Sequence, residues 1–212
     1  ILSLEQMAAL STSQFKAMEA ADLGKVSTTA IVGMTSDQAK VLTAAQAVEL
    51  TSAQIAKMDV IDVQQFSTAV ISGLTTDQVK GFTAEQVAGL STAQFSKLSV
   101  EQQQQFGTAQ IQEFTTAQAS VLTATQAAGL TSAQIAKIDV EAIQQFSTAV
   151  IAGLTADQLS GLTTLQVSKL VASQLASLDS TQLQALTTLQ ASVLTAAQIA
   201  SLDSSQIGKR DF

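Results

Sequence analysis

The chain contains no cysteine, histidine, tryptophan, tyrosine or proline among its 212 residues. Without cysteine there is neither a disulfide nor a thiolate nucleophile. Without histidine as well, the usual catalytic triads and transition-metal sites lose their general base and their ligands. We therefore predict a protein that is not an enzyme and that binds no cofactor.

Positive charge is also scarce, because 10 Lys and Arg residues stand against 17 Asp and Glu residues and the net charge is −7. Binding to nucleic acid depends on clustered basic side chains that displace counterions. No apolar run in the sequence approaches the ~20 residues that a membrane-spanning helix needs. We expect neither a nucleic-acid partner nor a membrane span.

What the sequence does contain is an eight-residue repeat that runs without insertion from Ser3 to Arg210, as 26 octads. Position 1 is Ser, Thr or Asp in 23 octads and position 4 is Gln in 20. Position 5 is apolar except at Gln103, and position 8 is apolar except at Arg210. This predicts one continuous repeat array over residues 1–212. Because the sequence begins inside an octad, we expect a processed chain or a segment of a longer array.

The octad that begins at Thr155 reads as the punctuation of a short helix. Thr155 is a candidate N-cap, and Gln158 stands where a capping box places Gln or Glu. Leu154 and Leu159 occupy the two positions of a hydrophobic staple. We predict that Gly161 ends the helix at a positive φ angle.

Charge placement favours helices over strands. Fifteen of the 17 acidic residues lie at positions 1 to 4, whereas all nine Lys residues lie at position 6 or 7. A helix dipole favours this segregation, and a β-strand has almost no net dipole. A β-solenoid remains the alternative, because Thr, Ile and Val are frequent and octads could form short strands with Gln ladders.

One uninterrupted helix is excluded, because eight residues at 100° each displace the apolar stripe by about 80° per octad. Each octad then forms a helix of about five or six residues, far below the ~12–15 that persist alone in water. Such helices must share their apolar faces with neighbours. The predicted fold is an all-α solenoid of tightly stacked short helices, one per octad.

A longer period overlies the octad. Residues 51–90 match residues 131–170 at 27 of 40 positions, and a weaker match occurs at an offset of 40 residues. This indicates a super-repeat of five octads. We hypothesise that the solenoid regains its orientation every five octads, for example after two turns of two and a half octads. Block duplication without geometric meaning is the alternative.

Three segments depart from the pattern. Asp59 and Asp62 could offer oxygen ligands to Ca²⁺, but their spacing matches no calcium loop and helix N-terminal charge explains them better. The Gln102–Gln105 run predicts a solvated, weak octad, or else a lateral polar contact to another chain. Residues 208–212, with Arg210 in an apolar slot, suggest a polar capping octad or the entry to a following segment.

Two segments carry a resemblance to a known group of proteins. Residues 42–58 (LTAAQAVELTSAQIAKM) and 186–202 (LTTLQASVLTAAQIASL) resemble the LTxxQ(I/V)xxL arrays of very large secreted bacterial proteins that are labelled as haem-utilisation or adhesion proteins. The resemblance implies an extracellular, bacterial repeat protein of the cell surface or matrix. Haem binding does not carry over, because no His, Cys or Tyr is present to hold iron. The four methionines stand at core positions and predict packing: Met7, Met18, Met34 and Met58.

These observations predict a structural, non-catalytic protein, namely an extracellular rod, stalk or filament. We expect end-to-end self-association in which Leu4, Met7 and Leu10 meet the last octads of the next chain. The alternative is a binding or adhesion module that holds a protein or polysaccharide on one solenoid face. Exposed apolar residues at variable positions would favour that alternative, and the sequence offers Val60, Ile61, Leu165 and Leu189.

Overall fold

The computed structural model describes residues 2–207, and the predicted capping octad with Arg210 lies outside them. The chain divides into two compact units, Ile1–Gln110 and Ile111–Phe212. The expectation of one continuous array stays a prediction. Within the described part of the chain every regular element is an α-helix and no strand occurs, so the β-solenoid alternative is wrong.

Each octad forms one helix of four to six residues, as the octad period predicts. The first half of the chain contains α1 Leu4–Ala9, α2 Thr12–Lys16, α3 Ala20–Gly24, α4 Thr28–Ile31, α5 Ser36–Val41, α6 Ala44–Ala47, α7 Ser52–Lys57, α8 Val60–Gln64, α9 Thr68–Gly73, α10 Thr76–Lys80, α11 Ala84–Gly89, α12 Thr92–Phe95 and α13 Val100–Gln104. The second half contains α14 Thr108–Gln112, α15 Thr116–Ser120, α16 Ala124–Gly129, α17 Ser132–Ile135, α18 Val140–Ile143, α19 Thr148–Ala152, α20 Ala156–Gly161, α21 Thr164–Lys169, α22 Ala172–Ala176, α23 Ser180–Ala185, α24 Thr188–Ser192, α25 Ala196–Ala200 and α26 Ser204–Ile207.

The helices begin as the sequence predicts. Thr155 Oγ1 accepts a hydrogen bond from the amide of Gln158 at 3.2 Å, and Gln158 Oε1 accepts one from the amide of Thr155 at 2.9 Å. This capping box satisfies two amides that a helix N-terminus leaves without an intrahelical partner. It recurs in most octads, and Val171, which has no hydroxyl, retains only the half that Gln174 supplies.

The helices do not end as predicted, because none of the described residues has a positive φ angle. Gly161 is the last residue of α20, and the chain leaves the helix at Leu162 with φ −59° and ψ 141°. Thr163 continues in an extended conformation as the next N-cap, with φ −69° and ψ 155°. Extended residues at positions 8 and 1 therefore turn the chain, and the prediction for Gly161 is wrong.

Within each unit a helix packs against the helix three places further along the chain. In unit 1 this holds from the pair α1 and α4 to the pair α10 and α13, and in unit 2 from α15 and α18 to α23 and α26. Side chains at position 5 and most of those at position 8 are buried between the stacked helices and form the core of each unit. The described parts of both units are therefore solenoids of stacked short helices.

Hydrogen bonds between successive turns link residues 28 to 31 positions apart, which lies between three and four octads. The example of two and a half octads per turn is therefore wrong. The five-octad period of the sequence does not coincide with a whole number of these turns.

Candidate functional surface: the glutamine seam and the terminal faces

The position-4 glutamines have a second role besides capping. Gln86 Nε2 donates to the carbonyl oxygens of Ile55 and Met58, both at 2.8 Å, in the helix that lies four octads earlier. Its Oε1 meanwhile accepts from the amide of Thr83 at 2.9 Å. One side chain therefore satisfies the start of its own helix and the end of the helix one turn before. Both are places where backbone groups lack intrahelical partners.

This arrangement repeats with the same offsets through both units, and we call it the glutamine seam. In unit 1 it comprises Gln38, Gln46, Gln54, Gln78, Gln86, Gln94, Gln102 and Gln110. In unit 2 it includes Gln158, Gln166, Gln174, Gln182, Gln190, Gln198 and Gln206. All except the half-buried Gln182 are buried, so the donors work where water does not compete.

Sequence reasoning missed the seam, although a signal was present. A capping box accepts either Glu or Gln at this position. Position 4 is Gln in 20 octads and Glu in none. Only Gln combines an acceptor for the cap with an NH₂ group that can donate elsewhere, and that bias is the trace of the turn-to-turn bonds.

Glycine at position 7 allows close approach on the opposite side of the helix. A Cβ atom at Gly81 would lie 2.6 Å from Cβ and 2.8 Å from the carbonyl oxygen of Ser52, which stands at the start of α7. At Gly161 the same atom would lie 2.7 Å from Cβ of Ser132. These glycines are therefore selected by contact with the helix three octads earlier.

Gln103 is the single polar residue at position 5, and it is fully buried. Neither its Nε2 nor its Oε1 has a hydrogen-bond partner. The prediction of a solvated octad is therefore wrong for Gln102 and Gln103. A buried amide without partners costs about 1–3 kcal/mol, so this octad contains a local weakness in the core of unit 1.

Asp62 occupies the seam position of α8, where a glutamine is the usual residue. Its carboxylate is 5% exposed, and Oδ1 accepts a hydrogen bond from Ser36 Oγ at 2.6 Å. Burial raises the pKa of Asp62, the Ser36 hydrogen bond opposes that rise, and the charge of Asp59 adds to it. By the register of the seam, Asp62 lies where a glutamine would donate to the carbonyl oxygens of Ile31 and Met34.

Exposed acids near helix starts behave differently. The backbone amide of Glu5 and the hydroxyl of Ser3 lower the pKa of the Glu5 carboxyl. The same arrangement lowers the pKa of Glu85 and of Glu101. Within residues 2–207 no three Asp or Glu side chains gather into a group that could hold a metal ion. Asp59 and Asp62 do not form such a group with a third acid.

The first turn of unit 1 leaves one side of its helices uncovered, and we call this side the first-turn face. Its polar members are Gln6 and Gln14, which are exposed and donate from Nε2 to none of the described residues. Position-8 side chains, buried along most of the chain, are only half-buried here: Leu10, Met18 and Val26, together with Leu2. The rim carries an exposed ion pair of Lys25 with Asp22 at 3.1 Å.

The last described turn of unit 2, residues 187–207, is uncovered on the opposite side, which we call the last-turn face. Position-5 side chains lose their cover here, since Ala191 and Ile199 are half-buried and Ile207 is 41% exposed. The carbonyl oxygens of Leu194 and Leu202 accept no hydrogen bond from the described residues. Elsewhere in unit 2 such position-8 carbonyls accept from seam glutamines.

The predicted contact residues Leu4, Met7 and Leu10 lie together in and beside α1 but differ in exposure. Leu4 is 37% exposed and Leu10 is half-buried, whereas Met7 is fully buried beneath them. Leu4 and Leu10 can therefore reach a partner directly, and Met7 can only support them. Their end-to-end contact stays a prediction.

Of the apolar residues singled out at variable positions, three are well exposed. Leu165 is 56%, Leu189 is 67% and Ile61 is 63% exposed, whereas Val60 is half-buried. Leu165 and Leu189 share the same octad position on the contacting helices α21 and α24. Leu165 also borders a shallow groove with Asp139, Val140, Glu141, Gln144 and Lys169.

Comparison with known proteins supports the repeat character of the chain. A family model described as the ALTTAQ repeat matches residues 15–52 and 55–92, which together make up less than half of the sequence. The two matches begin 40 residues apart, from 15 to 55, and so follow the five-octad period. No curated protein matches the chain. In the part of the chain that the structure describes, no helix is long and apolar enough to cross a membrane.

Proposed function

We propose that this repeat protein is a structural component, a rod or filament subunit of the bacterial cell surface or extracellular matrix, without catalytic activity. The observation that carries the proposal is the glutamine seam. Each new turn repeats the bonds of the turn before it, so the stack can grow in length without any change of its interior.

The use of polar groups supports the same role. Hydroxyls at position 1 are engaged with helix amides, and the amides of buried glutamines are engaged with carbonyl oxygens. The recurring polar side chains are thus committed to holding turns together. The secreted location and the bacterial origin rest on the resemblance to LTxxQ arrays.

Electron microscopy of the purified chain over a range of concentrations tests the mechanical part of the proposal. We expect objects of constant width, either single rods or longer filaments. Compact particles without a long axis at every concentration would contradict a rod or filament role.

Immunogold labelling of intact bacterial cells tests the location. Antibody raised against the chain is expected to decorate fibres or matrix outside the envelope before permeabilisation. Labelling that appears only after permeabilisation would contradict the extracellular assignment.

A second function is favoured by Leu165 and Leu189, which expose large apolar side chains on contacting helices of unit 2. Such a pair suits the binding of a protein or polysaccharide partner on one solenoid face. Retention on immobilised matrix polysaccharide, compared between the wild-type chain and a Leu165→Ser, Leu189→Ser variant, tests this function. Equal retention of the two chains would remove the reason for it.

A further inference from the structure

The two sides of a turn are chemically different and complementary. Toward the preceding turn a helix presents its position-4 amide, and toward the following turn it presents the carbonyl oxygens of positions 5 and 8, as Gln158 with Ala127 illustrates. The apolar side chains follow the same division. Position 8 loses cover in the first turn of unit 1, whereas position 5 loses it in the last described turn of unit 2.

The donors of the first-turn face are already oriented. Gln14 Oε1 accepts from the amide of Ser11 at 2.9 Å and from its hydroxyl at 3.0 Å, as seam glutamines do with their own caps. With Oε1 fixed in this way, Nε2 of Gln14 lies in the seam orientation without an acceptor. Little conformational entropy remains to be lost when an acceptor arrives.

The last-turn face offers the matching acceptors. Leu194 and Leu202 hold the register that Leu130 and Leu170 hold in the interior, where Gln158 and Gln198 donate to the position-8 carbonyls. The partly uncovered side chains of Ala191 and Ile199 lie beside these carbonyls. Apolar side chains and hydrogen-bond acceptors are therefore combined as they are between turns.

We propose that the last-turn face of one copy stacks on the first-turn face of a second copy and continues the glutamine seam across the junction. In this register Gln14 Nε2 donates to the carbonyl oxygens of Ala191 and Leu194 of the second copy, repeating the interior offsets. Leu10, Met18 and Val26 cover the apolar side chains of the last-turn face. Because two different faces meet, the contact does not close on itself and generates an open filament. The inference rests on the proposed structural role and specifies how copies join.

The variant Gln14→Glu tests the junction with the fold preserved. Glu keeps the capping-box acceptor, so α2 is expected to form as before. A carboxylate that faces two carbonyl oxygens cannot donate, and at neutral pH it repels them. Ala45→Glu is the matched control, because it adds the same charge at an exposed residue outside both faces. Far-UV circular dichroism checks that all three chains are equally helical.

Light scattering and electron microscopy across a concentration series then measure assembly. We expect Gln14→Glu to raise the concentration of half-assembly at least about tenfold, which corresponds to about 1.4 kcal/mol, and Ala45→Glu to leave it within about twofold. If Gln14→Glu assembles like the wild-type chain, the proposed junction is wrong although a filament role survives. If the wild-type chain gives only single rods, stacking of copies is wrong while a rod role survives.

Mixing experiments test the polarity of the junction. The Gln14→Glu chain retains an intact last-turn face, so it can add to a wild-type filament and then block further growth. A substoichiometric amount should therefore shorten wild-type filaments, and Ala45→Glu should not. Filaments of unchanged length in the presence of Gln14→Glu would show that the two faces do not pair in this way.

Discussion

Gln102 and Gln103 are adjacent, equally buried and chemically identical, yet their environments are opposite. Gln102 lies in the seam, where its Nε2 donates to Ile71 and Leu74 and its Oε1 accepts from Ser99. Gln103 lies in the core of unit 1, where neither side-chain polar atom has a partner. The seam converts a buried amide into a connection between turns, whereas the core leaves the same amide as an uncompensated cost.

The largest effect is expected when the donor of a seam glutamine is removed. Gln86→Glu keeps the cap acceptor for Thr83 but turns a carboxylate toward the carbonyl oxygens of Ile55 and Met58. We expect a loss of about 3–5 kcal/mol in the free energy of unfolding at pH 7, because a buried charge is left without compensation. Urea unfolding followed by circular dichroism measures it.

Gln6→Glu is the control for this loss, because Gln6 has the same capping box but is exposed in the first turn. Its unfolding free energy should stay within about 0.5 kcal/mol of wild type. The deficit of Gln86→Glu should narrow as the pH falls, since a protonated carboxyl can donate. Equal effects of the two substitutions would mean that the capping box alone explains the glutamines.

The comparison sharpens if the two adjacent glutamines respond with opposite signs. Gln103→Leu removes two unsatisfied polar atoms and fills the same space with apolar atoms, so we expect a gain of about 1–3 kcal/mol. Gln102→Leu should instead lose about 2–4 kcal/mol, because it leaves an amide and two carbonyls unpaired. Thermal and urea unfolding of both variants measure these changes, and two losses of similar size would contradict the distinction.

Packing on the other side of the turn can be separated from hydrogen bonding by glycine substitutions. Gly81→Ala would place Cβ within 2.9 Å of backbone atoms of Ser52, so we expect a loss of about 1–3 kcal/mol from overpacking. Gly73→Ala is its control, since the nearest atom lies 3.7 Å away and Ala favours the helix by about 0.5–1 kcal/mol. Equal stability of the two variants would indicate that the turns are less closely packed than the structure has them.

The smallest change restores the seam where it is interrupted. Asp62→Gln should add donors for the carbonyl oxygens of Ile31 and Met34, and we expect a gain of about 1 kcal/mol at pH 7. Because the folded-state pKa of Asp62 is raised, its protonated form is the one that favours folding. That contribution is present below the unfolded-state pKa and is lost as the pH rises through the folded-state value.

The advantage of Asp62→Gln should therefore be largest near neutral pH and should shrink below about pH 4. Urea unfolding of both chains at the two pH values measures the difference. Asp22→Gln, at the exposed first-turn equivalent, should change stability by less than about 0.5 kcal/mol. A gain at Asp62 that is independent of pH would contradict the role of its ionisation.

The sequence was sufficient to predict what is local. Charge segregation, the hydroxyl at position 1 and the apolar residues at positions 5 and 8 each describe a single octad, and they led to the correct helices and caps. The seam joins residues 28 to 31 positions apart, and no pattern within one octad reports that distance. Gly161 was misread for the same reason, because its function concerns Ser132 on another helix. The terminal faces depend on which turns lie next to them.

The spacing of the seam has a consequence for how such a protein changes over generations. Every octad finds its partner by counting back a fixed number of residues, so a deletion or duplication of whole octads moves each glutamine onto another carbonyl of the same kind. Gene slippage in multiples of the octad would then alter length while leaving most turns intact, whereas any other insertion would misalign every contact downstream within one turn. Length is thus the property that this architecture leaves most free to vary.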